Sequence, residues 1–243
     1  MEPVSVVLRR DAWLESFLRK PAYGLALEPA ADAGPVAASG EDLRRALPPG
    51  PLFAFAKIPA GDVVAASLLE DAGFRLAETG LVFEKRLGLG DRAAPAQRVR
   101  FARPQDEARV REIAGGAFSQ SRFHLDPRIP REAADALKAA WAGNFFSGGR
   151  GDAMVVAEED GAVAGFLLLL VAADVLVVDL VAVDAAWRGR GLAKAMLLFA
   201  GASGPFRLYR VGTQASNPAA MALYASLGFR PARASHVFHY HGA

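Results

Sequence analysis

An apolar run, Val175 to Val183, is followed after four residues by Arg188-Gly189-Arg190-Gly191-Leu192-Ala193. The run has the length and β-branched content of a strand, and Leu192 opens a stretch with helical character. The pattern therefore predicts a strand, a turn rich in arginine and glycine, and then a helix. The first turn of a helix carries unpaired backbone N–H groups and about half a positive charge, so this junction suits an anion, most often a phosphate. That order of elements also narrows the fold to those mixing strands and helices around one sheet.

Composition removes several classes of function. The chain has 243 residues, 52% hydrophobic and 22% charged, enough for one large or two small globular units. There are 28 basic and 26 acidic residues for a net charge of +2, a balance that leaves no electrostatic footprint for nucleic acid. Cysteine is absent, which excludes disulfides, thiolate zinc sites and a cysteine nucleophile. The longest apolar stretch, Ala162 to Val183, is interrupted by Asp174 and Asp179 and reads as a hairpin of two buried strands, Ala164 to Val171 and Val175 to Val183, not as a membrane span. Met1 to Lys20 lacks the apolar centre of a signal peptide, so a cytoplasmic protein is expected.

Gly88 to Gln97 has the composition of a linker and divides the chain into residues 1–90 and 98–243. Beyond it we expect a short strand at Val99 to Phe101 and helices at Pro104 to Phe118 and Arg131 to Trp141. Strands follow at Met154 to Glu158, Ala164 to Val171 and Val175 to Val183. A helix from Leu192 to Ala200, a strand at Arg207 to Thr213, a helix at Pro218 to Leu227 and a strand at Ala234 to Tyr240 complete it. Residues 65–75, Ala-Ala-Ser-Leu-Leu-Glu-Asp-Ala-Gly-Phe-Arg, resemble residues 220–230, Ala-Met-Ala-Leu-Tyr-Ala-Ser-Leu-Gly-Phe-Arg, at a constant offset of 155 that still aligns Val82-Phe83 with Val237-Phe238. Each copy reads as helix, glycine, then a strand opening on phenylalanine. The expected fold is α/β (α+β), a mixed sheet flanked by helices, with the N-terminal part a half-domain of similar topology to part of the second.

With these features in place the chain resembles the GCN5-related N-acetyltransferase (GNAT) superfamily. Its signature of Arg or Gln, two residues, Gly, one residue, then Gly or Ala is matched by Arg188, Gly191 and Ala193. The resemblance implies acetyl-CoA as co-substrate, its pyrophosphate held by the amides of Gly189, Arg190, Gly191, Leu192 and Ala193 with Arg188 and Arg190 beside it. It also implies a pantetheine arm running along Val181, Ala182 and Val183. Asn217 opens a helix carrying Tyr224 and ending in Gly228-Phe229, which is similar to the superfamily's second signature. Asn217 is a good N-cap on physical grounds; by resemblance it also lies near the pantetheine, and Tyr224 near the thioester sulfur as general acid. The turn lacks the Gly-Lys-Ser/Thr of a P-loop, and Lys194 stands where a dinucleotide-binding loop has its third glycine.

Ala117-Phe118-Ser119-Gln120-Ser121-Arg122-Phe123, a proline-containing loop and a helix with Trp141 resemble more narrowly the dTDP-fucosamine (dTDP-4-amino-4,6-dideoxygalactose) acetyltransferases of the WecD type. The implied acceptor is the amine of a nucleotide-linked amino sugar. Other small amines, a protein amine, or a non-catalytic acyl-CoA sensor remain alternatives. Glu78 matches a glutamate facing the substrate in that family and is a candidate base; its bland reading is an exposed strand-end carboxylate. Arg122, Phe123, His124 and Asp126 are candidate acceptor-binding residues, with ion pairing and surface exposure as their ordinary readings. Asp179 is expected to face outward with Val181 and Val183. His236, His239 and His241 alternate along the last strand, but too few ligands accompany them for a metal, and none is expected. The oligomeric state stays open, a homodimer among the alternatives.

Overall fold

Apolar runs, alternating in Val175–Val183 and continuous in Ala162–Ala172, make strands where the chain crosses the centre of this molecule, and the strands join into one sheet. The structure, a computed structural model, describes residues 4–29, 36–88 and 98–243. In the first part these are β1 (Val4–Arg10), α1 (Ala12–Leu18), β2 (Ala22–Pro29), β3 (Val36–Ala37), α2 (Gly40–Ala46), β4 (Phe53–Pro59), α3 (Val63–Asp71) and β5 (Arg75–Arg86). The second part holds β6 (Val99–Phe101), α4 (Glu107–Ala117), α5 (Arg122–Leu125), α6 (Arg131–Gly143), β7 (Ala153–Glu159), β8 (Ala162–Ala172) and β9 (Val175–Val183). It ends with α7 (Leu192–Ala202), β10 (Leu208–Gln214), α8 (Pro218–Ser226) and β11 (Arg230–His241). Of the expected linker, residues 89–97 lie outside the described residues.

The sheet has eleven strands in the order β3-β1-β2-β4-β11-β5-β10-β9-β8-β7-β6. Neighbours are antiparallel except β2 with β4 and β9 with β10. The last strand of each part sits inside the other part's territory: β11 lies between β4 and β5, and β5 between β11 and β10. The expected hairpin of apolar strands is the β8–β9 pair, turning at Ala173 and Asp174. No helix among the described residues is long and apolar enough to cross a membrane.

The 155-residue offset coincides with element bounds. β4, α3 and β5 match β10, α8 and β11 in both position and kind. Asp62 caps α3 by accepting from Ala65 N at 3.0 Å, and Asn217 caps α8 by accepting from Ala220 N at 3.1 Å, each satisfying one free helical N–H. Both helices give way to a glycine in the left-handed region, Gly73 and Gly228, before a buried phenylalanine, Phe74 and Phe229.

One face of the sheet carries α2 and α3 over Leu43, Leu68, Phe74 and Phe238, and α7 and α8 over Leu197, Tyr209, Tyr224 and Phe229. The other carries α4 over Val110, Phe166 and Leu180, and α1, α5 and α6 over Leu14, Phe53, Phe123 and Leu137. Residues 1–50 show no long periodicity because their helices are two turns each. Local capping fixes them: Asp11 accepts from Leu14 N at 2.9 Å, and Ser39 accepts from Asp42 N at 3.2 Å.

Candidate active site

β9 and β10 run parallel and paired only from Val175 to Val178 and from Leu208 to Val211. Beyond that point the two strands part. β10 goes on pairing with β5 as far as Gln214 opposite Gly80, and β9 with β8 as far as Val183 opposite Gly165. Val181, Ala182 and Val183 therefore have a strand neighbour on one side only. The other edge of their backbone faces the opening, and an extended polar chain could pair with it.

At the mouth of this opening a short 3-10 turn, Ala185–Trp187, leads through Arg188 into α7. Gly189 and Gly191 both have φ of +79°, a conformation that costs any other L-residue about 1–2 kcal/mol. Nothing stands where a Cβ on either would go. Among the described residues no group accepts from the backbone N–H of residues 189 to 194, and Gly191 offers α7 no side-chain cap. These bare amides at a helix N-terminus are donors that an anion could take up. Arg188 departs from that expectation. Its Nε donates to Val183 O at 3.1 Å and its Nη2 to Ala117 O at 3.2 Å, so the side chain pins the turn to the ends of β9 and α4. Arg190 instead lies exposed, its guanidinium 4.7 Å over the Trp187 ring.

Tyr224 projects from α8 into the apolar layer beneath this opening, 2% exposed, between Phe83 and Phe229. Burial pushes its phenol well above the ordinary value, so the group is a proton donor at neutral pH. Burial alone shifts it, with no hydrogen bond contributing among the described residues. At the same place in the repeat, 155 residues earlier, stands Leu69.

The opposite face of the sheet gathers charge around α6. Asp179 is the extra residue of a bulge: Leu168 pairs with Leu180 and Leu169 with Val178, leaving Asp179 without an opposite number. The bulge reverses the alternation, so Val181 and Val183 pack toward α7 while Asp179 turns to α6. Its side chain is 7% exposed and takes two bonds of 2.6 Å from Arg150 and one of 2.8 Å from Trp141 Nε1. The outward orientation expected from strict alternation is corrected on this ground. Lys138, one turn before Trp141, is buried with its ammonium 4.9 Å over Phe118 and 4.7 Å over Trp141. Burial lowers it to about 8, against the pull of Glu78 and Asp179.

Glu78 lies on this same face, in β5 opposite Val237, and its Oε2 accepts from the backbone N–H of Arg122 at 2.8 Å. Oε1 has no hydrogen-bond partner among the described residues and remains available. Arg122 is half-buried, with its guanidinium 4.1 Å over Phe55 and 4.4 Å over Phe123; desolvation lowers it to about 10 despite the nearby charges of Glu78 and Asp11.

The other residues expected to meet an acceptor are taken up by packing and hydrogen bonds within the protein. Phe123 is 1% exposed and packs with Phe53, Leu14 and Leu137, so no face is left for a ligand. His124 is fixed by Ser121 Oγ at 2.7 Å and Asp135 at 3.0 Å. Asp126 is buried, and its Oδ2 accepts from His239 Nδ1 at 2.7 Å and His241 Nε2 at 2.8 Å. Arg122 then donates to His239 Nε2 at 3.4 Å and Lys20 to His241 Nδ1 at 3.1 Å. These partners assign both imidazoles as neutral, with one N–H and one acceptor nitrogen each. Burial alone would raise the Asp126 carboxyl, but the bonds from the two histidines outweigh it and hold it well below the ordinary value. Asp126, His239 and His241 lie close enough together to share a cation, yet all four ring nitrogens are already engaged, two of them by cationic side chains.

Sequence reading missed Lys138 and Arg150. Lys138 had a visible sign, a lysine between Leu137 and Trp141 on the apolar side of α6. Arg150 sits after Gly148-Gly149 in a turn with no periodicity to place it.

A mixed sheet parted between two parallel strands, with free amides at the N-terminus of the crossover helix, is the arrangement that defines the GNAT acyltransferase fold. In agreement, residues 150–231 match the Acetyltransferase (GNAT) domain family. The chain is 28% identical over 191 residues to the spore coat polysaccharide biosynthesis protein SpsD of Bacillus subtilis (strain 168). That match covers 77% of this chain and spans 66% of the relative's length. Among solved structures, a GCN5-related N-acetyltransferase from Sphaerobacter thermophilus aligns with a TM-score of 0.61 at 19% identity, covering 100% of this chain and 78% of that one. A tandem GNAT protein from the clavulanic acid biosynthesis pathway aligns with a TM-score of 0.60 at 15% identity, covering 98% and 79%. The solved structures establish the shared fold.

Proposed function

We propose that this protein transfers an acetyl group from acetyl-CoA to a primary amine, and that the amine belongs to a nucleotide-linked amino sugar. The observation that carries the first half is the line of bare amides at residues 189–194 opening onto the parted edges of β9 and β10. Acetyl-CoA enters from the α7–α8 face with its diphosphate on those amides and its pantetheine along Val181 to Val183. Asn217, at the N-terminus of α8, borders that arm. The acceptor approaches from the α6 face, and the parting of the strands is where the two meet.

The amine nitrogen attacks the thioester carbonyl, an N–C bond forms, and the C–S bond breaks. Backbone N–H groups of β9 that lack a strand partner polarise the carbonyl. Glu78 Oε1 takes the proton the amine loses, directly or through a water. Tyr224, kept protonated by burial, gives its proton to the departing thiolate.

The sugar acceptor is supported by the resemblance of residues 117–123 to the sugar-nucleotide acetyltransferases and by a relative named for polysaccharide biosynthesis. We also propose that residues 1–90 are a half-domain that has lost its own donor site. Leu69 stands at the place of Tyr224, and the first turn of α2 is capped by Ser39 and carries Glu41 and Asp42, which repel a phosphate. The deciding experiment is free-thiol release from acetyl-CoA against nucleotide-linked 4-amino sugars beside a panel of ordinary amines. Release with the sugars is expected. Release only with the ordinary amines overturns the sugar acceptor, and CoA binding with no release on any amine leaves a sensor.

A further inference from the structure

We propose that Lys138 is the base of an anion-binding subsite, so that the acceptor carries a carboxylate or phosphate group near the amine that is acetylated. This rests on the acetyl-transfer reading and adds a chemical requirement to it. A buried ammonium with no partner is among the most costly groups a fold can hold, and it persists where something else completes it.

Lys138 is 7% exposed. Among the described residues its Nζ has no hydrogen bond and no carboxylate within ion-pair distance; its neighbours are the faces of Phe118 and Trp141. The nearby acids are already committed. Both oxygens of Asp179 are held by Arg150, one of them also by Trp141, and Glu78 accepts from the Arg122 backbone. Around Lys138 three cations, itself with Arg122 and Arg150, face two carboxylates, Glu78 and Asp179, which leaves one positive charge in excess. The shielded side-chain atoms without a partner are Gln120 Oε1 and Tyr209 OH, so Lys138 Nζ is not sealed away like these and keeps an opening. That opening belongs to the α6 face from which the acceptor comes. Trp141 is not the recognition element itself, because Lys138 and Arg150 both lie over its ring. At neutral pH the ammonium is mostly charged, since burial lowers it only to about 8.

The test is calorimetric titration of the full chain with inorganic phosphate and, separately, with malonate, after saturation with CoA to occupy the amides at residues 189–194. At least one of the two anions is expected to bind at a single site, and Lys138→Met to weaken it about tenfold or more, the scale of one charge-assisted hydrogen bond. Binding of phosphate alone assigns a phosphate-bearing acceptor, and binding of malonate alone a carboxylate-bearing one. Thiol release with glucosamine 6-phosphate against glucosamine gives an independent reading. The preference of the wild type for the phosphorylated amine should disappear in Lys138→Met. Absence of anion binding by the wild type, or equal binding by Lys138→Met, overturns the subsite. Failure of CoA to bind in the first step strikes the acetyl-transfer reading instead and is seen separately. Thermal unfolding of Lys138→Met checks that the variant is folded.

Discussion

Gly80 of β5 lies directly opposite Ser235 of β11, and the two are the same position of the repeat, 155 residues apart. A pair made of one position and its own counterpart marks an approximate twofold axis through the sheet. The irregularities obey it as well. Ala77 is skipped where the register moves from Glu78 to Leu76, and Ala232 where it moves from Pro231 to Arg233, again 155 residues apart. Phe83 and Phe238, equivalent in the same way, fill the hydrophobic layers under α8 and under α3. The side chains are not symmetric, however: among the described residues Leu69 stands at the position of Tyr224, and α2, capped by Ser39, precedes β4 where the uncapped α7 precedes β10.

That asymmetry predicts a single CoA per chain. The α2 N-terminus offers a serine cap and two acidic residues where α7 offers free amides. Calorimetric titration with CoA should give a stoichiometry of one. A second site of comparable affinity would contradict the loss of the first donor site.

Tyr224→Phe should lower turnover at least about tenfold, since a positioned acid contributes about 10²–10⁴-fold, while CoA affinity changes little. Stability should also change little, because no hydrogen bond contributes to the state of this hydroxyl among the described residues. Thiol-release kinetics with CoA calorimetry check this. A near-normal rate would remove Tyr224 from the role of acid.

Gly191→Ala should separate backbone strain from ligand contact. The position has room for a methyl group but a φ of +79°, so the folded state should lose about 1–2 kcal/mol. CoA affinity should fall further, about tenfold, because the methyl group lies among the amides offered to the diphosphate. Urea unfolding with and without CoA measures both effects, and an unchanged Kd would place the diphosphate elsewhere.

The Asp126–His239–His241 network predicts acid sensitivity. Burial lowers His239 below the ordinary value, so the unfolded chain binds its proton more readily, and stability falls as pH drops through about 6.5. Asp126, also depressed, contributes stability present above about pH 4 and lost below it, which extends the fall in the same direction. Denaturant unfolding between pH 7 and 4 should show this decline, and His239→Gln should remove its upper part. A flat profile in the wild type would refute the assignment of a neutral His239.

The residues expected to hold the donor are local in sequence. Residues 188–193 are contiguous, and Asn217, Tyr224 and Gly228 lie on one helix, so spacing alone sets their geometry. The residues gathered around α6 are brought together by long-range pairings. Asp179 was assigned to the wrong face because one bulge between Leu168 and Leu169 inverts every residue after it, and no local signal marks a bulge in an unbroken apolar run. Arg188 matched a motif, yet its guanidinium is consumed by the carbonyls of Val183 and Ala117, the latter 71 residues away. The exchange of β5 and β11 was out of reach for the same reason: the repeat was visible, but strand order depends on which edges meet.

Lys138→Met should make the protein more stable while weakening its hold on an anionic acceptor. Methionine keeps most of the volume of the lysine stem and removes a buried charge that nothing neutralises. Because the folded-state ammonium titrates near 8 and the unfolded one near its ordinary value of 10.5, the unfolded chain binds more protons between those limits. Stability of the wild type should therefore rise with pH from about 8 to 10.5, whereas below 8 the full penalty applies. The penalty is on the order of 3 kcal/mol, and Lys138→Met should recover a good part of it at pH 7. Urea unfolding at pH 7 and pH 10 measures both quantities. In the variant the rise with pH should flatten, since the group that causes it is gone. If Lys138→Met is instead less stable at pH 7, Lys138 has a partner in the free protein and its charge is not waiting for a substrate.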